Sequence, residues 1–123
     1  MREVWLPWPP KECSPNARVH WSKRAKAAKQ YRELCCIAAK HWKLSADGID
    51  GRIHLWLDFY PPNRQRRDDD NLMAAFKAGR DGLADALGLD DARFVCHPWL
   101  KDEPVKGGKV HAWITGGGPD EQR

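Results

Sequence analysis

Apolar and polar residues alternate most cleanly between Arg52 and Tyr60, where Ile53, Leu55, Leu57 and Phe59 point one way and His54, Trp56, Asp58 and Tyr60 the other. A period of two over that length predicts a strand with one buried face, ended by Pro61-Pro62. Upstream, Glu3 to Leu6 reads as a short strand stopped by Pro7, Pro9 and Pro10, and Cys13 to Trp21 as a polar, basic loop. Ser22 has the form of a helix cap. Lys23 to Trp42, rich in Ala, Lys, Gln and Glu, places Tyr31, Leu34, Ile37 and Ala38 at helical spacing and predicts a basic amphipathic helix, with Gly48 and Gly51 bracketing the break that follows. From about Asp70 to Leu87 the pattern turns helical again, with Leu72, Phe76, Leu83 and Leu87 on one side and Gly88 as the terminator. Phe94 to Leu100 and Val110 to Thr115 predict two last strands, joined through Lys106-Gly107-Gly108-Lys109. The order β-α-β-α-β-β predicts a single two-layer α+β domain over residues 1–115, a mixed sheet packed with helices, followed by a disordered tail over 116–123.

Length and composition narrow the class without naming a function. A chain of 123 residues holds one domain of ordinary size. A formal charge of +4 and a pI near 9.0 favour a polyanionic partner, though +4 also serves solubility. Cys13, Cys35, Cys36 and Cys96 form no CxxC pair and no zinc spacing, so they read as reduced thiols of a cytoplasmic protein. No apolar run reaches membrane-spanning length, and the N-terminus has no signal-peptide core.

Chemistry concentrates in Arg66-Arg67-Asp68-Asp69-Asp70-Asn71-Leu72, three carboxylates directly behind two guanidiniums at the head of the second helix. Adjacent like charges repel, and a hard divalent cation such as Mg²⁺ relieves that repulsion while leaving positions for water and phosphate. The competing reading is an acid-rich helix start, in which one Asp caps the backbone N–H groups and its neighbours meet the positive end of the helix dipole. Asp68 and Asp70 are two apart, so an extended approach lets both point to one side and share an ion. At about 100° per residue, Asp70, Lys77 and Asp81 fall on one narrow stripe opposite the core stripe of Leu72, Phe76, Gly79 and Leu83. Lys77 then stands roughly 10 Å along the axis from Asp70 and leans back toward it. Asp90-Asp91 comes one helix length later, and its acids are expected at the site only through a partner strand or a second subunit. Arg64, Arg66 and Arg67, with Lys106 and Lys109 further on, are the candidates for phosphate contact. Acids framed by arginine suit metal-assisted phosphodiester hydrolysis. The five histidines show no ligand spacing, which speaks against a histidine-metal nuclease.

At this point the chain resembles the RusA-type Holliday junction resolvases, or crossover junction endodeoxyribonucleases. The resemblance runs from Leu6-Pro7-Trp8-Pro9-Pro10 through the Arg-Asp-x-Asp-Asn-Leu motif to Leu89-Asp90-Asp91-Ala92 and Val105-Lys106-Gly107-Gly108-Lys109. It implies Mg²⁺-dependent (or Mn²⁺-dependent) cutting of four-way junctions in branched double-stranded DNA by a homodimer, in recombination and repair, and a phage or prophage origin. By motif position it implies that Asp68, Asp70 and Asp91 are the catalytic acids and metal ligands. One departure stands out: the family's lysine three residues after the motif asparagine is Ala74 here, and Lys77, one turn on, is the candidate substitute. Two other functions stay open on sequence alone, a flap or fork nuclease and a catalytically silent DNA-binding protein. Trp56 and Trp99 are candidates for a dimer surface.

Overall fold

The computed structural model describes residues 1–117. Strand β1 (Glu3–Pro7) and a 3₁₀ turn at Lys11–Cys13 lead to helix α1 (Trp21–His41); β2 (Ile53–Tyr60) and helix α2 (Asp69–Leu87) follow. A second 3₁₀ turn at Asp91–Arg93 opens β3 (Phe94–Leu100), and β4 (Lys109–Gly116) closes the sheet. This is the α+β order that the hydrophobic pattern predicts. Residues 118–123, most of the expected tail, lie outside the described residues, and Gly116 is the last residue of β4 rather than the first of a tail.

The sheet order is β1-β4-β2-β3. β2 and β3 are parallel, as neighbours joined by a crossover helix must be, whereas β4 pairs antiparallel with both β1 and β2. Both helices cover one face only. On that face Val4, Leu6, Ile53, Leu55, Leu57, Phe59, Val110, Ala112 and Ile114 are buried with Tyr31, Cys35 and Ala39 of α1 and Leu72, Phe76 and Leu83 of α2. Burial pushes the Cys35 thiol up to about 12, so it stays protonated, and all four cysteines are free.

Two details of α1 differ from the sequence reading. His20, not Ser22, caps the helix, its Nδ1 accepting from the Ser22 backbone N–H at 3.2 Å, so the helix begins two residues early. The buried stripe is Tyr31, Cys35 and Ala39, while Leu34 and Ile37 are exposed. Small residues face α2 because the helices meet closely: a Cβ at Gly82 would overlap the Arg32 carbonyl oxygen, and one at Gly79 would come within 2.8 Å of the Tyr31 ring. Leucine at those α1 positions would hold the helices apart.

Candidate active site

One end of the sheet gathers the motif. There β1 leaves at Trp8, β2 leaves into the basic loop, α2 begins, and the Lys101–Gly108 connection is tied to the root of that loop by the Val105 N–H donating to the Pro61 carbonyl at 2.8 Å. Asp68 is the N-cap of α2: its Oδ1 accepts the Asn71 N–H at 2.9 Å and its Oδ2 accepts from Asn71 Nδ2 at 3.1 Å. Asp69 and Asp70 occupy the first turn, exposed, where the helix dipole favours negative charge. The capping reading of the Asp run therefore describes Asp68 as it stands.

The arginines divide. Arg64 and Arg66 are exposed, free to meet a polyanion. Arg67 is turned inward: its guanidinium donates to the Asn63 carbonyl at 3.1 Å, the Gln65 carbonyl at 2.7 Å and Asn63 Oδ1 at 2.8 Å, and lies 5.5 Å over the Trp8 ring. Its desolvation lowers its pKa. Arg67 thus holds the loop in shape. Lys106 is exposed on the same end of the sheet. Lys109 points instead to the helix-free face, its ammonium 4.4 Å from the Trp5 ring centroid and 5.7 Å from that of Tyr60.

A second cluster sits at mid-helix. Lys77 Nζ lies 3.5 Å from Asp81 Oδ1 and 3.9 Å from Asp91 Oδ2, and Arg80 reaches the same Asp91 oxygen at 3.2 Å. The turn after Gly88, whose φ of 67° suits the left-handed helix stop, swings the chain back so that Asp91 returns to its own helix. Asp91 thus meets its own helix at Lys77 and Arg80 but does not reach the acids at the head of α2, where the sequence expects Asp90-Asp91 only through a partner strand or a second subunit. Burial raises the Asp81 carboxyl, and the hydrogen bond it shares with Asp91 raises it further. Asp91 is held below the usual carboxylate range by that same hydrogen bond and by Arg80 and Lys77. At the outer edge, Arg32 Nε and Asp85 Oδ2 pair at 2.6 Å and strap α1 to α2.

Asp70, Lys77 and Asp81 thus lie along one stripe with Asp91 docked at its far end, but the structure does not gather Asp68, Asp70 and Asp91. Asp70 and Asp81 are eleven residues apart on one helix, roughly 16 Å along its axis. Among the described residues no group of three or more His, Cys, Asp or Glu side chains is placed to hold a metal ion. A single ion on Asp68, Asp70 and Asp91 together does not fit this arrangement. The Asp81 and Asp91 carboxyls share a hydrogen bond and are paired with Lys77 and Arg80, so an ion held there would displace those partners. Asp81 was visible in the sequence as a member of the stripe, but only as a partner for Lys77. Arg80 and the inward turn of Arg67 had no signal beyond their charge. No described helix is long and apolar enough to cross a membrane.

No family model matches the chain. It is 51% identical over 118 residues to an uncharacterized protein of Xylella fastidiosa, across 94% of this chain and 77% of that one. It is 32% identical over 117 residues to the crossover junction endodeoxyribonuclease RusA of Escherichia coli K12, across 91% of this chain and 92% of the relative, and to the enzyme of the same name from Enterobacteria phage 82 over the same span. At that identity over nearly the whole of both chains, and with an α+β fold, the chain belongs to the RusA family of crossover junction endodeoxyribonucleases.

Proposed function

We propose that this protein is a Mg²⁺-dependent endodeoxyribonuclease that cuts four-way junctions in branched duplex DNA as a homodimer in the cytoplasm, with Mn²⁺ as the substitute ion. The observation that carries the reading is the α2 stripe of Asp70, Lys77 and Asp81 with Asp91 docked on it, beneath a loop that exposes Arg64 and Arg66. Asp81 and Asp91 would hold the ion, which when bound polarises a water and offsets charge on the phosphate. Asp68 and Asp70 complete the acid set from the head of the helix. Lys77 keeps its ammonium beside Asp81 and Asp91, where it can neutralise charge gathering on a phosphate oxygen. Arg64, Arg66 and Lys106 bind backbone phosphate at the basic end of the sheet, and Arg67 positions their loop.

The homodimer follows from the chemistry of resolution: two strands must be cut, and each domain carries one site. The helix-free face of the sheet is the surface for it. There Trp56 stacks on His97 at 4.0 Å and lies 6.3 Å from Trp113, Trp5 stacks on His111 at 4.3 Å, and Trp99 is exposed. A row of rings with no helix over it is the kind of surface that interfaces favour.

Incubation with a synthetic four-way junction, with and without Mg²⁺, tests the activity: paired nicks that require the ion support it, and binding without cleavage under any divalent cation would leave a DNA-binding protein. Light scattering at micromolar concentration tests the assembly. A mass near the 14.1 kDa monomer, free and on DNA, would favour a single-cut flap or fork nuclease.

A further inference from the structure

Beside the head of α2 lies a cavity of about 510 Å³, within the range of small-ligand sites. Its walls are apolar: Trp8, Pro10 and Val19, with Leu72 and Ala75 of α2 beneath. Its rim is basic, through Lys11, Arg18 and Arg66, and Asp68 and Asn71 close the side toward the motif.

The Trp8 wall is built in place. Its ring meets Phe59 edge-on at 6.0 Å, and Arg67 covers it at 5.5 Å. Behind it is Gly108, where a Cβ would come within 3.0 Å of three Trp8 carbons and where φ is 71°, so both space and backbone call for glycine. The basic loop, the β3–β4 connection and the chain after β1 all converge to hold one indole.

A cavity with flat apolar walls and a cationic rim suits a ligand that is flat and apolar at one end and anionic at the other. A nucleotide is such a ligand. A base paired and stacked in a continuous duplex cannot enter, whereas a base at a branch point is already partly unstacked and leaves at lower cost. Side-chain amides of Asn16, Gln65 and Asn71 also line the cavity and can meet the polar edge of a base. We propose that this cavity takes one unstacked nucleotide of the strand being cut, placing its phosphate at the basic rim of Lys11, Arg18 and Arg66. The proposal rests on the junction-nuclease reading and adds to it a physical reason for preferring branched DNA over a duplex.

The test uses 2-aminopurine, which brightens when it leaves the base stack, placed in turn at each position around the branch of a synthetic four-way junction and read with the full-length protein in EDTA. One position on each cut strand should brighten several-fold on binding. Filling the cavity with Val19→Trp should return that position to its stacked level and weaken junction affinity by roughly ten-fold, in the range for loss of one base-stacking contact. A wild-type protein that binds and cuts the junction with no bright position would overturn the cavity proposal and leave the nuclease reading standing. Brightening that survives Val19→Trp in a variant with wild-type circular dichroism would also overturn it. A wild-type protein that neither binds nor cuts branched DNA would overturn the nuclease reading and this proposal with it.

Discussion

At the head of α2, Asp68 commits both carboxylate oxygens to Asn71 and the neighbouring acids stand open to solvent, whereas three turns on, Asp81 and Asp91 press their carboxyls together between Lys77 and Arg80. The first group is held by the helix that it begins. The second is held by the fold, because it needs the turn at Gly88 and the start of β3 to exist. Sequence motifs mark the first kind of acid clearly and the second poorly, because the second is assembled by a chain reversal and compensated by Lys77 and Arg80.

The comparison is broken most directly by removing one charge at a time. Asp91→Asn and Asp70→Asn should each lower junction cleavage to below about one per cent of wild type, with binding in EDTA unchanged or tighter, as loss of a group that stabilises the transition state requires. Asp68 separates capping from catalysis, because asparagine caps as well as aspartate. Asp68→Asn should therefore melt like wild type and still lose cleavage, whereas Asp68→Ala should in addition lose about 1 kcal/mol of stability. A fully active Asp68→Asn would reduce that residue to a helix cap.

Lys77 belongs to the mid-helix group and should show the next largest effect. Lys77→Ala should slow cleavage by roughly a hundred-fold with little change in junction affinity, the signature of an interaction made in the transition state. Ala74→Lys in that background should restore part of the rate, since Ala74 and Lys77 line the same depression on α2. Equal single-turnover rates in wild type and Lys77→Ala would leave the lysine as a partner of Asp81 and nothing more.

Stability can be probed at Gly82, where α1 and α2 meet most closely. Gly82→Ala should destabilise by about 2 kcal/mol, as overpacking does, read as a lower denaturant midpoint at constant slope.

Much of this was legible in the sequence. The alternation of Ile53 to Tyr60, the stop at Gly88 and the stripe of Asp70, Lys77 and Asp81 follow from local periodicity, and the structure has each of them. Three things were not legible, for reasons of packing. Leu34 and Ile37 read as core but are exposed, because Gly79 and Gly82 bring α2 so close that only small residues and Tyr31 fit between the helices. The docking of Asp91 beside Lys77 and Arg80 was not legible, because the turn over residues 88–90 that reverses the chain carries no periodicity. Arg67 read as a phosphate ligand, and nothing in a run of arginines shows which one is turned back onto Asn63 and Trp8.

That last difference gives a smaller effect with a clean readout. Arg66→Ala should lower the magnitude of the log–log salt dependence of junction binding by roughly 0.9, the value for one lost duplex phosphate contact. Arg67→Ala should act instead on the loop, lowering the melting temperature and weakening binding without that change in slope. The opposite assignment of slopes would place Arg67, not Arg66, on the DNA.

The smallest effect concerns the strap at the outer edge of the mid-helix group. Arg32 holds the Asp85 carboxyl below its usual range through a direct hydrogen bond. A carboxyl whose folded pKa is depressed adds stability above its unfolded pKa, about 3.9, and that stability is lost as pH falls from there through the folded value. The pair is exposed, so solvent screens it and the contribution is slight. Melting curves between pH 6 and pH 3 should show Asp85→Asn and wild type converging as the solution becomes more acid, with the gap at pH 6 closed by salt as well as by protons. A gap that persists at pH 3 in high salt would mean that Asp85 supports the helix pair through packing rather than charge.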